Sequence, residues 1–229
     1  MRIVAAVIFV AACGGAVRSA EDRAPERERM VRDQIEARGV KDARTLAALR
    51  KVERHLFVPP EAARLAYADH PLPIGDGQTI SQPYIVAVMS EAIGLRGGEK
   101  VLEVGTGSGY QAAVLAEMGA RVYTVEIVPT LARAARTTLA RLGYPAVELR
   151  EGNGWAGWPE EAPFDAIVVT AAPPTVPDAL KSQLRDGGRL VIPVGREVQE
   201  LLLLTRRGDS FEEKRLLPVR FVPLVSGPS

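Results

Sequence analysis

The residue types best suited to ligand binding stand in one glycine-rich turn, between a strand-like and a helical pattern. It reads Glu103-Val104-Gly105-Thr106-Gly107-Ser108-Gly109. Glycines let the backbone turn tightly and approach a ligand, and the helix that follows presents free N–H groups. In the dinucleotide fingerprint G-x-G-x-x-G the third glycine would stand at position 110, where this chain has Tyr110. The spacing here is G-x-G-x-G, with Glu103 two residues before the first glycine.

This spacing resembles motif I of the S-adenosylmethionine-dependent methyltransferases. The cofactor of those enzymes has no pyrophosphate and carries an ammonium group, which a carboxylate beside the turn can neutralise. The turn therefore predicts an S-adenosylmethionine site formed by Glu103, Gly105, Thr106, Gly107, Ser108 and Gly109.

Two polar residues beyond the turn extend the predicted cofactor site. Glu126 ends the next strand-like run, 21 residues after Gly105, where an acid can accept hydrogen bonds from both ribose hydroxyls. Asn153 follows the third strand-like run, where its carbonyl could accept from the adenine amino group. Each has a simpler interpretation: Glu126 as a solvated strand end, and Asn153 as a turn residue with positive φ.

The chain lacks the residues of a serine hydrolase at this turn. A nucleophile elbow centred on Ser108 needs glycine two residues to either side, and those positions hold Thr106 and Tyr110. The two histidines, His55 and His70, both precede the turn, and the apolar neighbours of His55 favour a packed histidine over a base. Methyl transfer to an ionised carboxylate needs no base, only in-line positioning of the acceptor oxygen.

Alternating strand and helix patterns must position these residues. Apolar runs predict strands at 101–104, 121–127, 147–150, 164–170, 189–194, 201–204 and 219–225, with helices at 108–118, 129–142 and 177–184. Such βαβ repeats predict an α/β fold with a doubly wound, mostly parallel sheet, Rossmann-like as in class I methyltransferases. An N-terminal helical extension precedes the sheet, and the last two strands predict an antiparallel hairpin at its edge. Residues 69–83, rich in Pro and Gly, predict an ordered loop.

The N-terminal residues are predicted to form a separate leader. Residues 3–12 are apolar and follow Arg2, and the run is too short to span a bilayer but fits the core of a secretory signal. Val10-Ala11-Ala12-Cys13 also resembles a lipoprotein lipobox, so the leader suggests export, periplasmic or lipid-anchored, with membrane contact only if Cys13 is lipidated. A wrongly chosen start codon is the alternative. The predicted organisation is a leader at 1–20, helices and a substrate loop at 21–95, and the cofactor-binding core at 96–229, the last two forming one structural domain.

Composition excludes several classes of protein. The 229 residues carry 29 Lys and Arg against 28 Asp and Glu, a net charge of +1, so nothing indicates binding to nucleic acid. One cysteine excludes an intrachain disulfide framework, and with only two histidines we expect no metal site. We expect a monomer of ordinary globular composition, 47% hydrophobic and 25% charged.

The segment between the N-terminal helices and the sheet carries a more specific resemblance. Residues 73–84, Pro-Ile-Gly-Asp-Gly-Gln-Thr-Ile-Ser-Gln-Pro-Tyr, resemble the signature of protein-L-isoaspartate O-methyltransferases. Residues 54–59, 105–111, 164–167 and 187–195 are also similar to that family. The resemblance extends from about Met30 to Val225.

The resemblance implies an enzyme that methylates the free α-carboxylate of an isoaspartyl residue in a damaged protein. The ester then collapses to a succinimide, whose hydrolysis returns some normal aspartate. By position, Ser81 would orient the substrate carboxylate, Thr79 and Gln82 would line the same loop, and backbone groups of Ile192, Pro193 and Val194 would bind the peptide. Ser81 could also cap the helix that begins near Pro83. An export leader is unusual, because the family is chiefly intracellular.

Two other functions compete with this one. Another methyltransferase of the same fold could act on a small molecule or RNA, although near-neutral charge and few aromatic residues argue against RNA. A non-catalytic exported binding protein could retain the fold. An intact cofactor turn together with an intact Ser81 loop argues against the latter, since a binding protein needs neither.

Overall fold

The computed structural model describes residues 23–227. The predicted leader, including Cys13, lies outside the described residues. Between Arg23 and Gly227, no helix combines the length and apolar character that crossing a membrane requires.

A seven-stranded sheet forms the centre of the molecule. Its strands are β3 (Lys100–Val104), β4 (Arg121–Glu126), β5 (Glu148–Glu151), β6 (Phe164–Val169), β7 (Leu184–Val194), β8 (Gln199–Arg207) and β9 (Ser210–Val219). They lie in the order β5-β4-β3-β6-β7-β8-β9. The first five pair in parallel, and β8 and β9 form an antiparallel hairpin against β7. The predicted parallel sheet with an antiparallel edge is confirmed.

Within residues 23–227, six α-helices lie before the sheet and between its strands. They are α1 (Ala24–Arg29), α2 (Ala43–Lys51), α3 (Pro83–Ile93), α4 (Tyr110–Glu117), α5 (Pro129–Arg141) and α6 (Asp178–Ser182). Helix α1 continues through a π-helical and a 3₁₀ turn and ends at Gly39, whose φ is 96°. Gly39, in the left-handed conformation, therefore ends the helix.

Two apolar clusters cover the two faces of the sheet, as the alternation of side chains along each strand requires. Val101, Val122 and Val168 face the N-terminal helices, α3 and α4. Leu102 and Ile167, on the opposite face, pack in a second cluster that also contains residues of α6. Because the first cluster joins the helical extension to the sheet, residues 23–95 are held in the same core as the strands.

The structure corrects the predicted loop at 69–83. It contains a small antiparallel hairpin of β1 (Leu72–Gly75) and β2 (Gln78–Ile80), separate from the main sheet. Its turn holds Gly75, Asp76 and Gly77 at positive φ. The strands are only four and three residues long, too short to show a period in a segment rich in Pro and Gly.

The last strand was predicted at the wrong residues. The sequence indicated 219–225, whereas β9 covers Ser210–Val219 and residues 220–227 follow the sheet in extended form. Edge strand β9 is mostly exposed, so it carries charges such as Glu213 and Lys214 and shows no apolar pattern. Residues 222–224 instead run beside Ala172, which bonds to the backbones of Val222 and Leu224.

A smaller correction concerns Gly187 and Gly188. The sequence predicted that the strand begins at Arg189, whereas β7 begins at Leu184 and contains both glycines. Pairing with β6 shifts register there, since Phe164 pairs with Leu184 and Ala166 with Arg189. The glycines therefore form a bulge within the strand.

Candidate functional site

The glycine-rich turn joins β3 to α4 at the carboxyl edge of the sheet and is held by both neighbouring strands. Towards β4, the N–H of Gly105 donates to the Val125 carbonyl (2.9 Å). Towards β6, the Thr170 hydroxyl donates to the Gly105 carbonyl (2.6 Å). The φ of Gly105 is +96°, and a Cβ atom there would lie 2.4 Å from the Thr170 oxygen. Position 105 therefore accepts only glycine without rearrangement.

Glu126 fastens the turn from the end of β4. Its Oε2 accepts from the Gly107 N–H (2.7 Å), and its Oε1 accepts from the Val128 N–H (2.9 Å). The side chain is buried, with 5% of its surface exposed. The simpler interpretation of Glu126 as a solvated strand end is therefore wrong. Each carboxylate oxygen keeps a second acceptor site, so the group can also bind a diol.

Glu103 is fully buried beneath the turn. The Thr124 hydroxyl donates to its Oε2 (2.6 Å), and Thr106 bonds to Thr124 in turn (2.7 Å). Its other oxygen, Oε1, has no partner among the described residues. Burial, reinforced by the charge of Glu126, raises the pKa of the Glu103 carboxyl to about 8. A buried carboxyl with an open acceptor is suited to a cationic partner.

Two openings meet at this edge of the sheet. The inner cleft is lined by Gly105, Gly107, Glu126, Gly154 and the extended residues 222–225, among others. The outer groove, about 410 Å³, is lined by Pro71, Ser81, Gln82, Ile85 and residues 218–222, among others. Thr79 and Thr170 line both.

A small cavity of about 30 Å³, the bridge cavity, lies between the two. Its lining includes Ser81 from the groove and Glu103, Gly107 and Ser108 from beneath and along the turn. In the sequence Ser81 lies 22 to 27 positions before these residues, and the fold brings them to one cavity. A group bound in the cleft and a group bound in the groove can therefore come into contact beside Thr79, Ser81 and Thr170.

Ser81 is half-buried, and its hydroxyl forms no hydrogen bond within residues 23–227. Helix α3 begins at Pro83 with Gln82 as its N-cap residue and no side-chain cap. The alternative interpretation of Ser81 as a helix cap is therefore wrong. Its hydroxyl is free to donate to a ligand in the groove.

The hairpin of β1 and β2 carries Thr79 across the glycine turn. At its tip, Asp76 accepts from the Thr130 hydroxyl at the start of α5 (2.5 Å). Close to the turn, a Cβ atom on Gly107 would lie 3.3 Å from Ile74. The hairpin is thus packed on the turn and attached to the far side of the cleft.

Gln82 has a structural role beside the groove. Its amide donates to the carboxylate (2.8 Å) and the carbonyl (3.1 Å) of Asp69. Arg38 pairs with the same carboxylate (2.6 Å) and stacks on the Tyr84 ring, 3.4 Å from its centroid. These contacts fix the chain on both sides of Gln82, and therefore the position of Ser81.

The predicted site residues at the ends of the later strands lie elsewhere. The carbonyl of Asn153 accepts from the Trp155 N–H (3.0 Å), and its φ is −81°, not positive as its simpler interpretation required. Its neighbour Gly154 lines the cleft instead, so the adenine contact of Asn153 stays a prediction. The structure does not bring Ile192, Pro193 and Val194 to the groove, because they lie within β7 and pair with β8.

Neither histidine reaches the groove. His55 bonds through Nδ1 to the Tyr67 hydroxyl (2.8 Å), and burial lowers its pKa. His70 is exposed and contacts the Pro71 carbonyl (3.0 Å). A packed His55 is confirmed. Residues 23–227 also contain no group of three or more His, Cys, Asp or Glu that could hold a metal ion.

One segment that lines both openings was not predicted from the sequence as part of the site. Residues 218–222 line the groove and 222–225 line the cleft, although 219–225 were predicted as a strand. The side-chain amide of Gln199 anchors this segment, donating to the Phe221 carbonyl (3.1 Å) and accepting from its N–H (2.6 Å). Pro223 was the available signal, because a proline within an apolar run indicates an edge strand or no strand at all.

Known proteins match this chain over most of its length. The family model for protein-L-isoaspartate (D-aspartate) O-methyltransferase matches residues 25–229. A protein-L-isoaspartate O-methyltransferase of Gloeobacter violaceus is 60% identical over 197 residues, covering 85% of this chain and 96% of its own. That of Methylorubrum populi is 62% identical over 203 residues, covering 88% and 95%.

Solved structures agree on the fold. A protein-L-isoaspartate O-methyltransferase structure superposes with a TM-score of 0.78 at 30% identity, covering 86% of this chain and 65% of that chain. A Plasmodium falciparum structure in complex with S-adenosyl-L-homocysteine has a TM-score of 0.75 at 24% identity, covering 87% and 98%, and supports the fold alone. The extent and identity of these matches establish that the chain belongs to the protein-L-isoaspartate (D-aspartate) O-methyltransferase family.

Proposed function

We propose that this chain transfers a methyl group from S-adenosylmethionine, held in the inner cleft, to the α-carboxylate of an L-isoaspartyl residue in the outer groove. Membership of the family makes the chain a methyltransferase that acts on isoaspartyl sites in damaged proteins. The observation that carries the assignment of the two openings is their junction at Thr79, Ser81 and Thr170.

The residues around the cleft fit this cofactor. Gly105 and Gly107 line the cleft without side chains, so a ligand can approach their backbone, and Glu126 has acceptor sites for a ribose diol. The unpartnered Oε1 of buried Glu103 suits the cofactor's ammonium group, whose charge would favour ionisation of that carboxyl. We assign these four positions, with Thr106, Ser108 and Gly109 of the same turn, to cofactor binding.

The reaction requires little from the protein beyond the positioning of the methyl donor and the acceptor carboxylate. S-adenosylmethionine supplies an electrophilic methyl group on a sulfonium ion. The acceptor carboxylate is already ionised at neutral pH, so no base has to remove a proton, in keeping with the distant histidines. Ser81 donates a hydrogen bond to one carboxylate oxygen and leaves the other directed at the cleft. Orientation of this kind supplies the main part of the rate.

The substrate peptide occupies the groove between Ser81 and the extended segment 218–222. This segment replaces Ile192, Pro193 and Val194 as the structure's candidate for peptide contacts, because it lines the groove and they do not. Gln82 contributes by holding Asp69 and by lining the groove. Which damaged proteins are substrates depends on which peptide segments fit this groove.

The export of the chain is a separate proposal that rests on the leader alone. The apolar run at 3–12 and the sequence before Cys13 suggest cleavage or lipidation. The family model matches residues 25–229, so the predicted leader at 1–20 precedes the region that defines the family.

The activity is tested directly with matched peptides. We expect methyl transfer from labelled S-adenosylmethionine to a peptide with one L-isoaspartyl residue, and none above background to its normal aspartyl counterpart. Equal labelling of both peptides, or of neither, would contradict the proposed substrate.

Ser81→Ala tests the orienting hydroxyl. Hydrogen bonds to charged groups contribute about 1.5–3 kcal/mol, so kcat/KM for the isoaspartyl peptide should fall roughly 10- to 150-fold. Affinity for S-adenosylmethionine and the pH profile between about pH 6 and 8 should stay as in wild type. Ser182→Ala, an exposed serine on α6, is the control. Full activity of Ser81→Ala would remove the residue from the site.

Glu126→Gln tests the cofactor cleft while keeping the size of the side chain. Because the amide has one acceptor oxygen instead of two, it cannot serve the backbone N–H groups and a ribose diol together. Calorimetry should show S-adenosylmethionine affinity at least about tenfold weaker. Glu126→Ala should also lower the free energy of unfolding, since both backbone bonds are lost. Unchanged affinity in both variants would overturn the assignment.

Glu103 predicts a pH dependence of stability without cofactor. Its pKa is about 8 in the folded chain against 4.5 as the ordinary value. Its contribution to stability is therefore complete below about pH 4.5 and is lost as pH rises through 8. The Glu103→Gln side chain cannot ionise. Between pH 5 and pH 9 the free energy of unfolding of this variant should therefore fall by about 4 kcal/mol less than that of wild type. Urea unfolding at several pH values measures this, and parallel curves would refute it.

Mass spectrometry of the protein from its native host tests the leader. Export predicts a mature N-terminus beyond residue 12, with a lipid mass if Cys13 is modified. An intact chain that starts at Met1 in the cytosolic fraction would exclude export.

A further inference from the structure

The extended segment 218–221 has a second opening on its other side. This opening, about 680 Å³, is lined by residues 218–221 together with 196–198 of the turn between β7 and β8 and with Gln199, which begins β8. It shares Pro218, Val219, Arg220 and Phe221 with the outer groove. The two therefore form one continuous surface that extends away from Ser81.

The turn that borders this opening is fixed in shape. Gly195 has φ +128°, and a Cβ atom there would lie 2.0 Å from the Val198 carbonyl oxygen. Gln199 follows, 8% exposed, and clamps the backbone of Phe221 through two hydrogen bonds. The turn and the extended segment are thus joined, so side chains on the turn keep a set position relative to the groove.

The side chains presented there are cationic and apolar. Arg196 and Arg220 are exposed, and within residues 23–227 neither forms an ion pair with a carboxylate. Glu197 is the one acidic residue in the lining, which leaves an excess of one positive charge. Val198 is 80% exposed beside them. Exposed apolar surface next to unpaired arginines suits an acidic peptide segment.

We propose that Arg196, Val198 and Arg220, the flanking shelf, bind the polypeptide beside the isoaspartyl residue and favour flanks that carry Asp or Glu. This inference rests on the proposed function, since it takes the groove beside Ser81 as the site of the isoaspartyl residue. Ser81 lines the outer groove but not the opening beside the shelf, so the shelf contacts residues beyond the modified one. Such a preference directs the enzyme to isoaspartyl sites in acidic surface segments.

Matched isoaspartyl peptides test the shelf. One pair carries two Glu or two Gln residues three and four positions before the isoaspartyl residue, and a second pair carries them after it. For one of the two pairs, KM should be about two- to fivefold lower with Glu than with Gln, because exposed ion pairs contribute modestly. The difference should shrink as salt is raised.

Variants then locate the effect. Arg196→Ala should bring the ratio of the two KM values towards one, and Arg196→Glu should invert it. Arg207→Ala, at the far end of the β8–β9 hairpin, should leave the ratio unchanged. Equal KM values for the Glu and Gln peptides in wild type would contradict the proposed role of the flanking shelf. So would a KM ratio that Arg196→Glu does not alter. Failure to methylate any isoaspartyl peptide would instead overturn the proposed function and the shelf with it.

Discussion

The hydrogen bond from the Gly107 N–H to the Glu126 carboxylate connects the two loops on which the site depends. It ties the glycine turn after β3 to the end of β4, while Thr170 at the end of β6 holds the turn from the other side. Parallel strands place all three ends at one edge of the sheet, so the contacts follow from the topology. These hydrogen bonds hold the turn in the conformation that leaves the cleft open.

The same edge explains how the protein keeps two carboxylates with different properties side by side. Glu126 has both oxygens bonded to backbone N–H groups, whereas Glu103 lies deeper and has one oxygen without a partner among the described residues. Burial raises the pKa of Glu103 and favours its neutral form. A cation entering the bridge cavity would reverse that preference, which makes Glu103 sensitive to the ligand and Glu126 a fixed part of the wall.

Sequence periodicity was enough to predict the sheet, because its central strands are covered on both faces and read as apolar runs such as Ala166-Ile167-Val168-Val169. Spacing alone also identified the turn and Glu126. Ser81 came from the family resemblance, and the structure adds that its hydroxyl is unbonded within residues 23–227 and reaches the bridge cavity. Periodicity failed where burial is one-sided or absent. It missed the short hairpin over the turn, the exposed edge strand β9 and the lining role of residues 218–225, which depends on a long-range clamp by Gln199.

The central claim is that cofactor and substrate meet at Thr79, Ser81 and Thr170. A crystal structure of the chain with S-adenosylhomocysteine and an isoaspartyl peptide tests it most directly. The account predicts the cofactor's sulfur at this junction and the α-carboxylate within hydrogen-bond distance of the Ser81 hydroxyl, with the peptide along residues 218–222. A peptide seated along Ile192, Pro193 and Val194, or a carboxylate held away from Ser81, would contradict it.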